Sequence, residues 1–239
     1  MPLRKSYFLW KRIFDVVLAL TLMAALFPAM VLLLLVAAWE TRAFPLYVQD
    51  RGVSLERERF RIYKLRTMRE RDSRAHIPGA AQIFFRPEYA GDVPRICRWF
   101  RLTGLDELPQ LWNILVGDMS FIGPRPLALA DLETMKRESP SFYDMRAAVT
   151  APAGLSGLWQ LYGSREEGVE NLVRLDLLYE QTRSLALDLA LVLKTIPTIL
   201  FALRSDAIVG KAGDRRENSD VRMKSTEARA LTLRLGTQD

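Results

Sequence analysis

Residues 16–39, VVLALTLMAALFPAMVLLLLVAAW, carry no charged side chain, and this run limits the fold more than any other feature of the chain. As a helix, its 24 residues reach about 36 Å, more than the hydrocarbon core of a bilayer at about 30 Å. The run is longer than the apolar core of a signal peptide and lacks a small-residue cleavage site, so it reads as a retained membrane segment. Pro28 stands near its middle, where it deletes one backbone hydrogen bond and predicts a bend. Arg4, Lys5, Lys11 and Arg12 precede the run, and Arg42, Arg51, Arg57 and Arg59 follow it. Basic flanks favour the cytoplasmic side. Two topologies fit: a kinked spanning helix, or a helix that enters, turns at Pro28 and leaves on the face it entered.

At 239 residues and 49% apolar, the chain is long enough for one or two domains with a real core. Its net charge of +6 favours acidic partners: nucleic acid, anionic lipid or phosphorylated substrates. The single cysteine, Cys97, excludes an internal disulfide and reads as a small buried hydrophobe. The single histidine, His76, lies in a polar stretch and is assigned no role. Multi-cysteine and multi-histidine metal sites are thereby excluded.

Residues 45–68 read as two short strands around a turn, with FRIYKL alternating apolar and basic positions. Residues 51–74 hold nine Lys/Arg against four Asp/Glu, read as a patch facing the membrane surface. A loop is expected over 75–93, helices over 94–103 and 106–116, a loop through GDMSFIGPRP, and helix over 127–147. Residues 152–163 read as a glycine-rich loop leading into a short apolar segment. Residues 166–203 read as helix, with Leu172, Leu175, Leu178 and Tyr179 in a stripe. The apolar end of that segment, SLALDLALVLKTIPTILFAL, suits a helix lying in the membrane interface. The chain therefore divides into a basic flank and membrane helix (1–44), a following domain (45–203) and a charged tail (204–239). The fold class is α/β, mostly helical with a small sheet.

The densest chemistry lies in residues 101–126, RLTGLDELPQLWNILVGDMSFIGPRP. Asp106 and Glu107 are adjacent acids between Arg101 and Arg125, and Pro109 suits a first helical turn. On their own, two such acids are no more than an N-cap and a solvated charge. Next to a stiff Pro124-Arg125-Pro126 turn they point to phosphate and metal handling. No P-loop, Gly-x-Gly-x-x-Gly or Asp-x-Asp triplet occurs.

Several blocks together resemble the bacterial sugar transferases, the monotopic phosphoglycosyl transferases that act on polyprenol phosphate. They are KRIFD (11–15), the apolar run with its proline, Gln49-Asp50-Arg51-Gly52, FRIYKLRTM (60–68), LDELPQLWNILVGDMSFIGPRP (105–126), GLSGLWQ (154–160), Leu175-Asp176 with Tyr179, and Leu187-Asp188. The sequence departs from the family pattern at Ala153, at Gly163-Ser164-Arg165 and at Asp92-Val93-Pro94-Arg95, and none of these touches Asp106 or Glu107.

The resemblance implies transfer of a sugar 1-phosphate from a UDP-sugar donor to a polyprenol (undecaprenyl) phosphate acceptor. UMP is released, a phosphosugar-aspartate intermediate forms, and surface polysaccharide or glycoconjugate synthesis begins. It implies Mg²⁺, a re-entrant helix, and a catalytic domain on the cytoplasmic face of the bacterial inner membrane. Asp106 would be the nucleophile and Glu107 the metal carboxylate. Lys64, Arg66, Arg101 and Arg125 would grip phosphate, Pro124 and Pro126 would stiffen Arg125, and Gln160 with Trp159 would approach nucleotide or lipid. Asp118 is read as bracing its loop. The chain resembles the family's minimal form, without preceding spanning helices. Inner-membrane lipid is an expected partner, a homodimer is plausible, and nucleic acid is not expected. The competing reading is a membrane-anchored basic scaffold or nucleic-acid-binding protein. It leaves the joint presence of LDELPQ and GPRP unexplained.

Overall fold

The computed structural model describes residues 2–57, 59–69, 93–164 and 167–200, with side chains from residue 6 to residue 197 within these ranges. The expected loop over 75–93 as far as residue 92, His76, Arg165 and the tail 204–239 lie outside the described residues.

The chain opens with α1 (Pro2–Thr41), a glycine-free helix and, among the described residues, the one element long and apolar enough to cross a membrane. Pro28, where a bend is expected, lies inside the helix. The helix continues through it, as helices do when a proline removes only one hydrogen bond and neighbouring turns hold. Arg42, at a φ of 54°, ends it.

Both ends of α1 pack on the following domain, whereas its middle is open. Near the start, Lys11, Asp15 and Ala19 recur every fourth residue on one buried face. Near the end, Ala37 packs with Leu65 and Phe100. Between them Phe27, Leu32 and Leu35 are 65%, 61% and 64% exposed.

Strand β1 (Leu46–Gly52) pairs antiparallel with β2 (Phe60–Leu65), from Leu46 opposite Leu65 to Arg51 opposite Phe60. The far end of β1 pairs with the two-residue β4 (Leu127–Ala128). A second sheet joins β3 (Met119–Ile122) and β5 (Ala153–Ser156) in parallel. Both strands lie where loops were expected. All four residues of β3 are buried, so the short segment shows no polar alternation to mark it as strand.

Helix α2 (Arg95–Thr103) ends at Gly104, whose φ of 73° glycine adopts without strain. Next comes a 3₁₀ turn, Leu105–Gln110, and then α3 (Leu111–Val116). The helix expected from 106 is therefore tight for its first half, where Pro109 has no N–H for the ladder. The single helix expected over 127–147 is two, α4 (Leu129–Glu138) and α5 (Pro140–Ala147), because Pro140 begins the second. The remaining helices are α6 (Leu158–Tyr162), α7 (Gly168–Thr182) and α8 (Leu185–Leu200).

Ile114, Met119, Leu132, Met135, Leu172 and Leu191 form the centre of one core that these helices share with β3. A polar knot fixes α1 to that core. Lys11 Nζ donates to Asp188 Oδ2 at 2.8 Å, Tyr7 donates to the same oxygen at 2.9 Å, and Tyr179 donates to Oδ1 at 2.7 Å. Lys11 and Asp188 are buried. Loss of one partner from such a pair typically costs about 3–5 kcal/mol, so the knot sets how α1 meets α7 and α8.

Candidate active site

Asp106 and Glu107 occupy the first turn of the 3₁₀ segment, directly after the left-handed Gly104. Both are half-buried. Lys64, near the end of β2, donates to Glu107 Oε1 at 2.8 Å, with side chains 21% and 14% exposed. A charge-assisted bond at this depth keeps Glu107 aimed at the sheet edge. Behind the acids, Asn113 of α3 is buried and bonds the β2 backbone, donating to Arg61 O and accepting from Tyr63 N–H. Its Nδ2 also donates to Asp118 Oδ2 at 3.1 Å, which agrees with Asp118 bracing its loop. The last turn of α3 is capped by the membrane helix: Arg12 donates to Ile114 O at 2.5 Å and Leu115 O at 2.7 Å. A cation at a helix C-terminus is favourable, and here it joins α1 to the element that follows the acids.

The Pro124-Arg125-Pro126 turn leaves β3 through Gly123. A Cβ at Gly123 would stand 2.1 Å from Pro152 O and 2.9 Å from Gly154 N, so only glycine admits the β5 backbone this close. Gly154 N–H donates to Pro124 O at 2.9 Å. Pro124 and Pro126 are buried, and Arg125 is half-buried between them.

Arg51, at the end of β1, adds a cation that the sequence reading quoted in a motif without giving it a role. Its guanidinium bonds Gln49 Oε1 and donates to Pro126 O at 3.1 Å. Burial lowers its pKa, and the nearby Arg125 lowers it further, while Asp131 and Glu107 oppose this. Burial raises the pKa of Asp131 at the start of α4, with Arg51 and Arg125 opposing. Arg51 thus lies within electrostatic reach of both the acidic turn and the Arg125 turn. A positive cluster facing carboxylates suits an anionic ligand whose phosphates and cation complete the balance.

The other assigned residues are more scattered. Arg66 donates through Nε to Phe44 O at 2.9 Å, just beyond α1. Arg101 sits in the last turn of α2. Gln160 is 9% exposed, and its Oε1 has no hydrogen-bond partner among the described residues. It lies close to the Gly123 turn, 3.1 Å from where a Cβ on Gly157 would be. Trp159 is buried beside it. Within the basic stretch 51–74, Arg51 and Arg57 turn inward, Arg57 donating to Val149 O and Ala151 O. That stretch is thus only partly a surface patch, because backbone carbonyls recruit some of its arginines. Cys97 is a free, buried thiol, as expected.

Among the described residues, no group of three or more His, Cys, Asp or Glu forms a protein-only metal cage. Mg²⁺ commonly takes one or two carboxylates and completes its shell with substrate phosphate and water. The adjacent carboxylates Asp106 and Glu107 fit that donor set in kind.

The bacterial sugar transferase family matches residues 6–202. The chain belongs to that family. A UDP-glucose:undecaprenyl-phosphate glucose-1-phosphate transferase of Caulobacter vibrioides is 39% identical over 80% of this chain and 69% of its own length. A UDP-galactose-lipid carrier transferase of Erwinia amylovora is 34% identical over 80% of this chain and 40% of its own length. The exopolysaccharide production protein ExoY of Sinorhizobium fredii is 32% identical over 79% of this chain and 84% of its own length. The chain thus spans less than half of one relative and most of the other two.

Proposed function

We propose that this chain is a polyprenol-phosphate sugar-phosphate transferase. It moves a sugar 1-phosphate from a UDP-sugar to undecaprenyl phosphate and releases UMP. The observation that carries this reading is the match to the family over residues 6–202, which takes in every residue of the candidate site.

In this reading an Asp106 oxygen attacks the sugar-bearing phosphorus of the donor, the bond to UMP breaks, and an acyl phosphate forms. A phosphate oxygen of the acceptor then attacks that phosphorus, frees the Asp106 carboxylate, and leaves a polyprenol diphosphate sugar. A carboxylate is ionised at neutral pH and needs no general base. Arg51 and Arg125 pair with donor phosphate oxygens, and Lys64 holds Glu107 in place. Glu107, with Asp106 beside it, would hold Mg²⁺, which when bound neutralises diphosphate charge.

The membrane reading rests on α1 and α8. Trp10 and Trp39 near the two ends of α1 are 56% and 84% exposed, and α8 exposes Leu185, Leu189, Leu193 and Ile196 along one side. Exposed tryptophans suit the headgroup layer. Residues 12 and 37, if on one straight helix, would be about 37 Å apart. Both ends pack on one domain while the middle is open, which supports a helix returning to the face it entered. In this topology the domain lies on the cytoplasmic face of the inner membrane. Single cysteines at residues 3 and 45 should label from that one side in sealed vesicles. Labelling from opposite sides would refute the return.

The reaction is tested by UMP release from UDP-glucose, UDP-galactose and their N-acetylamino counterparts, with undecaprenyl phosphate and Mg²⁺. One donor should release UMP beyond one per enzyme only when acceptor is present. Failure of every donor would return the chain to the scaffold reading.

A further inference from the structure

The turn that carries Arg125 is held along its backbone far more thoroughly than an exposed turn needs. Gly123 N–H donates to Ser156 O at 3.0 Å, and Pro124 O accepts from Gly154. Pro126 O accepts from Arg51. The Arg125 peptide groups are gripped from beneath by a pair that no part of the reaction uses. Asp176 of α7 accepts the Arg125 N–H. Arg146 of α5 donates to Arg125 O and, through another nitrogen, to Val53 O. Arg146 and Asp176 are themselves joined at 2.8 Å, with side chains 1% and 3% exposed.

Two features show that this pair does more than fill the core. A buried ion pair is seldom more stabilising than apolar side chains of the same volume, so its presence points to a positional task. Its contacts are also selective. Val53 lies two residues after Arg51, so one planar guanidinium holds both segments that present cations to the site. Arg51 and Arg125 carry like charge at close range, and the pKa of Arg51 is lowered first by burial and then by Arg125. Arg146 ties the two segments together beneath the Arg51–Pro126 bond and the β1–β4 pairing. Lysine, whose three N–H groups sit on one nitrogen, cannot reach three acceptors that Arg146 serves from three separate nitrogens.

We propose that Arg146 and Asp176 are positioning residues that hold Arg125, and with it Arg51, at the spacing the donor diphosphate requires. The proposal rests on the transferase reading given above.

The test is a mutant cycle on the full chain in lipid nanodiscs, read as kcat and donor KM from UMP release. Arg146→Lys is made alone and in an Arg125→Ala background. If Arg146 acts through Arg125, Arg146→Lys lowers kcat/KM by about 100-fold in the wild-type background. In the Arg125→Ala background the further loss is about two-fold or less. Because Arg146→Lys risks misfolding, Arg146→Met with Asp176→Leu is run through the same cycle. That pair removes both buried charges together, so no unpaired charge is left, and a protein that still shows a cooperative thermal transition is expected to lose the same activity.

Equal losses in both backgrounds would overturn the proposal, as would a Met/Leu pair as active as wild type. So would an Arg125→Ala protein with unchanged kcat/KM. Asp106→Asn, run alongside, separates the outcomes: its inactivity keeps the transferase reading standing even where the clamp fails.

Discussion

Asp106→Asn is expected to lower UMP release by roughly four to six orders of magnitude, to the background of the assay. The substitution preserves shape and hydrogen bonding and removes only the charge and the nucleophilic oxygen pair. Asp106 lies half-exposed on a 3₁₀ turn, so the fold has little to lose. The thermal transition should stay within about 1 kcal/mol of wild type, the scale of an acid at a helix start. This contrast separates the chemical role from the bland one. An acid that merely favours a helix N-terminus would change stability slightly and leave turnover intact. The expected result is the reverse: turnover lost, fold kept. Donor affinity, measured by nucleotide displacement, should change little, because the arginines and not Asp106 hold the diphosphate.

Glu107→Gln is expected to lower kcat by about 10²- to 10³-fold, the range for loss of one preorganised electrostatic group. The amide oxygen still accepts from Lys64, so the 2.8 Å contact survives in form while its charge balance is lost. Two explanations of such a loss differ in their dependence on Mg²⁺. A metal carboxylate gives a variant whose activity recovers in part at high Mg²⁺. A carboxylate that serves only to neutralise Lys64 gives a loss that Mg²⁺ does not touch, and Lys64→Met together with Glu107→Leu would then restore activity. The reading here predicts partial rescue by Mg²⁺ and no rescue by the paired substitution. A Mg²⁺ titration of the single and double variants measures both.

Much of this was legible in the chain itself, and for identifiable reasons. The charge-free run of α1, the alternation of FRIYKL and the acidic turn before an apolar helix are local patterns, and local patterns survive in a linear reading. The β3–β5 sheet was not legible. Each strand is four residues long and mostly buried, so neither alternates, and their partnership spans the whole of α4 and α5. The 3₁₀ form of the acidic turn depends on Gly104 and Pro109 acting together. Pro28 stays inside the 40-residue helix, its missing hydrogen bond being one among many.

The candidate site divides in the same way. Asp106, Glu107 and Arg125 belong to one continuous block, whereas the bond from Lys64, read in the sequence as a phosphate grip, to Glu107 is seen only in the fold. Arg146 carries no signal in the sequence, being one arginine among many on a short helix. Its role emerges only when α5, α7 and the Arg125 turn come together. Gln160, assigned to the ligand, lies close to Gly157 and the Gly123 turn.

The most direct test of the central claim is the mass of the protein itself. The full chain, incubated with its active UDP-sugar and Mg²⁺ but no acceptor, should gain the mass of one sugar phosphate. That mass should map to the tryptic peptide beginning at Leu102, disappear in Asp106→Asn, and be discharged when undecaprenyl phosphate is added. UMP release without any such adduct, or an adduct that persists in Asp106→Asn, would contradict Asp106 as the nucleophile.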